Sequence, residues 1–298
     1  MRRTVLLMTS MALTLLLASG VSLAFNTIRC DGGECNGTPN DDKMVGSDRR
    51  DILYAFRGSD LLFGNGGRDD LYGFRGYDAL RGGDGSDKLG GGPDKDELYG
   101  NGGPDVLNGG NTGDYMQGGD GNDKLFAGSG GTAYASTESL DGGRGADLLS
   151  GGPGFEYYHF YPGFGNDTIS DSDANAIIFH GSQEDLSIRL RAGAGPEATD
   201  GTNSVEWGDS IKIRLVGGSG DDTITGDYRS NDLAGSGGSD TINGGRGNDT
   251  LSSDFSLSTL FGSVDNVPDT IDCGPGTDTV YFDPTRDTVT NCETLNPE

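Results

Sequence analysis

Residues 82–90 read GGDGSDKLG and residues 118–126 read GGDGNDKLF. They are two copies of one nine-residue unit, and the unit runs unbroken across residues 37–126. Asp recurs at Asp42, Asp51, Asp60, Asp69, Asp78, Asp87, Asp96, Asp105, Asp114 and Asp123. Two residues after each Asp comes an apolar side chain, from Met44, Leu53 and Leu62 through to Leu107, Met116 and Leu125. Five residues before each Asp sits Gly, except at Ala55. Repetition at a fixed short period is the sequence signature of a solenoid. A disordered Gly/Asp-rich linker has no reason to keep Asp and Leu in phase.

The residue types suit one kind of chemistry. Glycine at the first, second and fourth positions permits turns with positive φ, which a Cβ would obstruct. Such turns can aim carbonyl oxygens inward, and the Asp at position six adds a carboxylate. Carbonyl and carboxylate oxygens are what Ca²⁺ takes, six to eight at a time. Positions seven to nine are long enough only for a three-residue strand. Position eight, the reliably apolar one, points inward while seven and nine point outward.

Written as GGxGxDxUx, with U apolar, this unit resembles the RTX, or hemolysin-type, calcium-binding nonapeptide repeat. The resemblance implies an all-β fold, a right-handed parallel β-roll or β-solenoid in which two nonapeptides, about 18 residues, make one coil. It implies Ca²⁺ between turns stacked on the same edge, so that repeat n shares an ion with repeat n+2. The candidate calcium ligands are Asp60, Asp69, Asp78, Asp87, Asp96, Asp105, Asp114 and Asp123, with Asp147, Asp167, Asp222, Asp240 and Asp249 further on.

Alternation of repeats would divide the first array into two edges. Asp51, Asp69, Asp87, Asp105 and Asp123 share one, and four of its five turns keep Gly at position four. Asp42, Asp60, Asp78, Asp96 and Asp114 share the other, where two of five keep it. The tightest calcium sites are expected between Asp69, Asp87, Asp105 and Asp123. On the second edge Phe56 stacks near Phe74 and Arg57 near Arg75, and the two arginines are expected to pair with Asp60 and Asp78 in partial place of cations.

Outside the first array the pattern is looser. Residues 1–24 read as a signal peptide: Arg2 and Arg3, an apolar run at 5–17, and Ser22-Leu23-Ala24 before the cleavage point. Residues 25–36 form an N-terminal cap and 37–170 the first array, with an insertion at 127–137. At 171–216, Ile177-Ile178-Phe179, Leu186/Ile188/Leu190, Val205/Trp207 and Ile211/Ile213/Leu215 mostly alternate as strands do. This segment is expected as wider coils with a protruding loop at 191–203, a small separate β domain being the alternative. Residues 217–252 form a second array and 253–298 degenerate repeats with a C-terminal cap.

The chain carries 21 Lys plus Arg against 47 Asp plus Glu, a net charge of −26. Without Arg2 and Arg3 this becomes 19 − 47 = −28. Self-repulsion of that size opposes compaction without cations. Nucleic acid and anionic membrane are poor partners for such a chain, calcium ions good ones, and no membrane insertion is expected once the signal is removed. Gly numbers 55, and only 32% of residues are hydrophobic, too few for a conventional core. Four cysteines in an exported chain suggest two disulfides, with three connectivities open on spacing alone. Cys30 and Cys35 lie just before the first repeat and are expected to close the small N-terminal cap. Cys273 and Cys292 are nineteen residues apart, one coil plus one, which sets them about 5 Å apart across adjacent strands. A zinc site is the rival, but no His lies near any Cys.

No catalytic constellation is visible, and an enzyme is not expected. His159 and His180 lie in no nucleophile or zinc motif, and His159 is expected at the surface. A secreted, extracellular calcium-binding protein is the leading function. The alternative is a calcium-dependent adhesin or surface-interaction module with an unidentified cell-surface or glycan partner, suggested by outward Tyr54, Phe63, Tyr72, Tyr99 and Phe126. A polysaccharide-active enzyme ranks below both.

Overall fold

A computed structural model describes residues 25–128, 137–171, 174–180, 187–189, 198–199, 204–207, 212–253 and 267–297. The expected signal peptide lies outside them. The described residues contain strands and turns and no helix. Apart from the segment 187–207, successive strands fall alternately into two sheets and pair in parallel, the first sheet opening with Asn26–Arg29 and the second with Gly33–Asn36. The molecule is a parallel β-solenoid, and through the first array each turn bonds to the turn 18 residues away.

The register is the sequence period doubled. In the second sheet Leu53 pairs with Leu71, Leu71 with Leu89, Leu89 with Leu107 and Leu107 with Leu125. In the first, Met44, Leu62, Leu80, Leu98 and Met116 follow one another in the same way. The apolar residue of each repeat therefore stacks on its counterpart one coil away, and the two files meet as a narrow core. Each of these ten side chains is at most 2% exposed. One buried leucine contributes about 1.5–3 kcal/mol, while ordering a single residue's backbone costs about 1–2 kcal/mol. One such side chain for every nine residues cannot hold a coil by burial alone, so hydrogen bonding and the turns must supply the rest.

Insertions lengthen the register step without ending the stack. Leu125 pairs with Leu149 and Met116 with Leu140, and the turn beside each pair bonds across a separation of 24 instead of 18. Ile242 pairs with Ile271 and Leu251 with Val280, where the separation grows to 29. The extra residues fall largely at 129–136 and 254–266, outside the described set.

The segment 171–216 departs from simple wide coils. In the first sheet Ala174–Phe179 pairs directly with Lys212–Val216. In the second, three strands occupy the corresponding place. Ser204–Trp207 pairs with Asn166–Ser170, Ala198–Thr199 runs antiparallel to it, and Ser187–Arg189 runs antiparallel to Ala198–Thr199. Ser187–Arg189 then pairs with the next regular strand, Thr223–Thr225. Ala198–Thr199 falls inside the stretch expected as a protruding loop and is instead a sheet strand, with Ala198 fully buried. Among the described residues the short meander gives the second sheet fifteen strands against fourteen.

Disulfides join Cys30 to Cys35 and Cys273 to Cys292, with Cα–Cα distances of 6.0 and 5.2 Å. The second links one coil to the next, as the nineteen-residue spacing predicts. Among the described residues no helix is long and apolar enough to cross a membrane.

Candidate metal centre

Position six and position eight lie on the same side of an extended chain. The Asp of each repeat therefore turns inward beside its apolar partner, at the bend where the chain enters a sheet. Asp60, Asp78, Asp96 and Asp114 stand where it enters the first sheet, and Asp69, Asp87, Asp105 and Asp123 where it enters the second. All eight, and Asp147, Asp167, Asp222, Asp240 and Asp249, are at most 3% exposed.

One oxygen of each carboxylate is used by the backbone. The N–H of Asp51 donates to Oδ1 of Asp69 at 2.7 Å, that of Asp69 to Asp87 at 2.7 Å, and that of Asp87 to Asp105 at 2.7 Å. The other edge repeats the ladder from Asp42 through Asp60, Asp78 and Asp96 to Asp114. The first edge continues from Asp105 through Asp123 to Asp147 and Asp167, and in the second array the ladder runs from Asp222 to Asp240 and from Asn231 to Asp249. Each Asp thus clamps its own turn to the turn one coil before.

The second oxygen is left over. Oδ2 of Asp60, Asp69, Asp78, Asp87, Asp96, Asp105, Asp114, Asp123, Asp147, Asp167 and Asp249 is buried with no hydrogen-bond partner. A buried polar atom in that state costs about 1–3 kcal/mol, more if charged. The turns also bring carbonyls to the same place. A Cβ on Gly100 would lie 2.4 Å from Oδ2 of Asp105 and 2.5 Å from the carbonyl oxygen of Gly118, one coil on. A Cβ on Gly64 would meet Oδ2 of Asp69 and the Gly82 carbonyl in the same way, at 2.4 and 2.5 Å. The first glycine of the repeat leaves open a space faced by a carboxylate oxygen and a carbonyl oxygen.

The electrostatics are those of buried carboxylates crowded together. Burial lifts these carboxylates far above their usual range. The N–H from the preceding coil pulls them back down, and carboxylates nearby push them up again. Asp60, Asp105 and Asp123 are raised to about 7, and Asp96 and Asp114 to about 8. Asp69 and Asp78 reach about 6, and Asp87 is also raised. Among the described residues no three His, Cys, Asp or Glu side chains converge as a purely side-chain metal site. The donors here are one carboxylate per turn plus backbone carbonyls, a set of hard oxygens that fits Ca²⁺ and offers nothing to a soft metal.

Several expectations meet the geometry unevenly. The orphaned oxygen occurs on both edges alike, so the difference in glycine count between them has no counterpart here. Arg57 and Arg75 align one coil apart but form no ion pair with Asp60 or Asp78. Both arginines are exposed while both carboxylates face inward, so arginine does not stand in for a cation. Tyr54 and Tyr72 stack at 5.3 Å and 10°, and Phe56 and Phe74 extend the group with 43% and 42% exposure.

His159 faces outward but is half-buried. Its Nδ1 lies 2.7 Å from Nε2 of His180, a pairing that twenty-one residues of separation conceal. Burial first, and His180 second, depress His159 to about 4. Glu138 and Asp278 carry the same ladder as the candidate ligands: Asp114 N–H donates to Glu138 Oε2 at 2.6 Å and Asp249 N–H to Asp278 Oδ1 at 2.7 Å. Their only signal in the sequence is the phase, each standing two residues before an apolar side chain.

No curated protein matches the chain. The family model for the RTX calcium-binding nonapeptide repeat matches residues 36–71, 63–98, 72–107, 99–131, 133–155 and 225–255, half of the chain once overlaps are merged. The period, the stacked register and the inward carboxylates agree with that match, and the chain belongs to the RTX calcium-binding nonapeptide repeat family.

Proposed function

We propose that the chain is a secreted, extracellular calcium-binding protein whose turns hold Ca²⁺ between stacked coils and whose folding is coupled to that binding. The observation that carries this reading is the row of buried, partnerless Oδ2 atoms from Asp60 to Asp123. Asp147, Asp167 and Asp249 extend the proposed ligand set. Bound calcium would supply the charge that these oxygens lack. The chain's own part is to bury the carboxylates, fix them with a backbone N–H from the previous coil, and keep the adjacent space clear with glycine. Binding to the folded form alone stabilises it by mass action. The leader at 1–24 and the two disulfides support export, since disulfides persist in oxidising compartments.

The test is a calcium titration of chelated protein, followed by circular dichroism and calorimetry. The expected result is weak β signal in chelator and gain of β structure at millimolar Ca²⁺. Mg²⁺ should substitute poorly, because it demands tighter octahedral geometry and dehydrates reluctantly. Full β structure in chelator, unchanged by calcium, would refute the coupling.

One observation favours a second reading, a surface-interaction module. The segments YAFRG (54–58) and YGFRG (72–76) stack in register, presenting exposed Phe56 and Phe74 beside exposed Arg57 and Arg75. Aromatic rings with adjacent guanidiniums suit the apolar faces and carboxylates of an acidic glycan. Binding to such glycans, lost in Phe56→Ser plus Phe74→Ser with the calcium-induced fold intact, would support it.

A further inference from the structure

The second residue of each turn, four before the repeat carboxylate, occurs in two backbone states. In eight successive turns, from Phe56 (φ 77°) before Asp60 to Gly119 (φ 112°) before Asp123, it holds a positive φ. In all eight the Oδ2 of the following Asp has no partner. The same conjunction recurs at Gly143 and Asp147, Gly245 and Asp249, and Gly274 and Asp278.

Five turns differ. Here the second residue does not have a positive φ, and its N–H donates into its own turn's position-six side chain. Thr38 donates to Oδ2 of Asp42 at 2.5 Å and Ser47 to Oδ2 of Asp51 at 2.7 Å, each with its hydroxyl added at 2.9 and 3.0 Å. Gly218 donates to Oδ2 of Asp222 at 2.7 Å, Asp227 to Oδ1 of Asn231 at 3.0 Å, and Asp283 to Oδ2 of Asp287 at 2.7 Å. The turn is closed on itself: the oxygen left over elsewhere is already answered by a hydrogen bond, although at Asp42 it is Oδ1 that stays buried without a partner.

Residue type does not set the state. Gly218 is closed and Gly119 open, and Ser47 is closed while Ser236 has φ 88°. A second, independent observation comes from charge. Among the described turns Asn231 is the one uncharged residue at position six, and it falls in a closed turn. An amide oxygen can accept a backbone N–H as well as a carboxylate can, but it brings no charge to a cation.

We propose that the closed turns take no cation, so that calcium binds only at the open turns and Asp222 is not a ligand. This rests on the calcium reading of the preceding subsection. A backbone N–H already bonds the oxygen that a cation would need, and the turns at 37–42, 46–51 and 282–287 would hold their carboxylates without calcium. Those three lie near the disulfides. The ends of the stack are thereby built to keep their form when the middle is stripped of ions.

The test counts calcium bound per full-length, disulfide-intact chain by equilibrium dialysis at saturating Ca²⁺, for wild type, Asn231→Asp, Asp51→Asn and Asp87→Asn. Asn231→Asp restores the repeat carboxylate in a closed turn and should leave the count unchanged. Asp51→Asn should also leave it unchanged, and Asp87→Asn should lower it by at least one ion. An added ion in Asn231→Asp, or a lost one in Asp51→Asn, overturns the proposal while leaving the calcium reading intact. A wild type that binds no calcium overturns both. The first two variants do not depend on whether Asp87→Asn folds.

Discussion

Phe74 lies one coil from Phe56, with the rings 5.9 Å apart and 15° from parallel, and both residues hold a positive φ. Two opposing effects meet there. A left-handed conformation costs a residue with a Cβ about 1–3 kcal/mol, and an aromatic pair returns about 0.5–1.5 kcal/mol. Phe74→Ala loses the stack and keeps the strain. Phe74→Gly loses the stack and releases it. The glycine variant should therefore be the more stable of the two by about 1 kcal/mol, reversing the usual penalty for glycine in a strand. Denaturant unfolding of both variants in calcium measures the difference, and an alanine variant that matched or exceeded the glycine one would show that the turn is not strained.

The raised carboxylates set a pH dependence of unusual sign. A carboxyl that titrates near 6–8 when folded and near 3.9 when unfolded binds protons more tightly in the fold. Its contribution to the cation-free fold is then complete below about pH 4 and is lost as pH rises through 6–8. In chelator, β signal should increase on acidification from pH 8 to pH 5. In calcium the ions take the protons' role, so acidification should weaken binding, and a calcium titration near pH 7 should release protons. Acid lability in chelator would contradict the burial of these groups.

Two glycines two residues apart should respond oppositely to alanine. A Cβ at Gly100 would fall 2.5 Å from a backbone carbonyl oxygen and 2.4 Å from Asp105 Oδ2, whereas at Gly102 nothing lies closer than 3.6 Å. Gly102 also lacks a positive φ. Gly100→Ala should cost about 1–3 kcal/mol through overpacking and weaken calcium binding. Gly102→Ala should be neutral or stabilise by about 0.4–1 kcal/mol through the unfolded state. Thermal melts in calcium separate them, and equal losses would mean that the turn can relax around a methyl group.

Removing the Cys273–Cys292 bridge by serine substitution should destabilise by about 2–4 kcal/mol. In a stack that couples nearest neighbours the loss should stay near the C-terminal coils. Hydrogen exchange is the suitable measurement: amides around 270–290 should lose protection while those around 80–110 keep theirs. Uniform loss along the chain would show longer-range coupling than a repeat stack allows.

What the sequence disclosed was the part governed by periodicity. Leu53, Leu71 and Leu89 stand eighteen apart and stack in that order, and the inward side of each Asp follows from its place two residues before them. The Cys273–Cys292 link followed from the same arithmetic. Other features depended on contacts that spacing does not encode. The strand at Ala198–Thr199 pairs antiparallel within its own sheet, reversing the order in which alternating residues would be stacked. His159 and His180 meet diagonally across adjacent strands. The state of each turn was hidden as well, because glycine and serine both occur on either side of it and only the backbone angle tells them apart. Arg57 and Arg75 looked like substitutes for cations because they neighbour Asp60 and Asp78 in sequence, yet the bend sends arginine out and carboxylate in.

The three-stranded meander at Ser187–Trp207 gives one sheet an extra pair of antiparallel contacts that the other lacks. In a stacked material this is a grain boundary: the lattice on either side is the same, but the layers do not continue through it on both faces. Only the first sheet carries parallel pairing straight from Ala174–Phe179 to Lys212–Val216. Order spreading coil by coil from the first array arrives there on one face alone. Across this joint, order should pass from the long crystal to the short one through a single face.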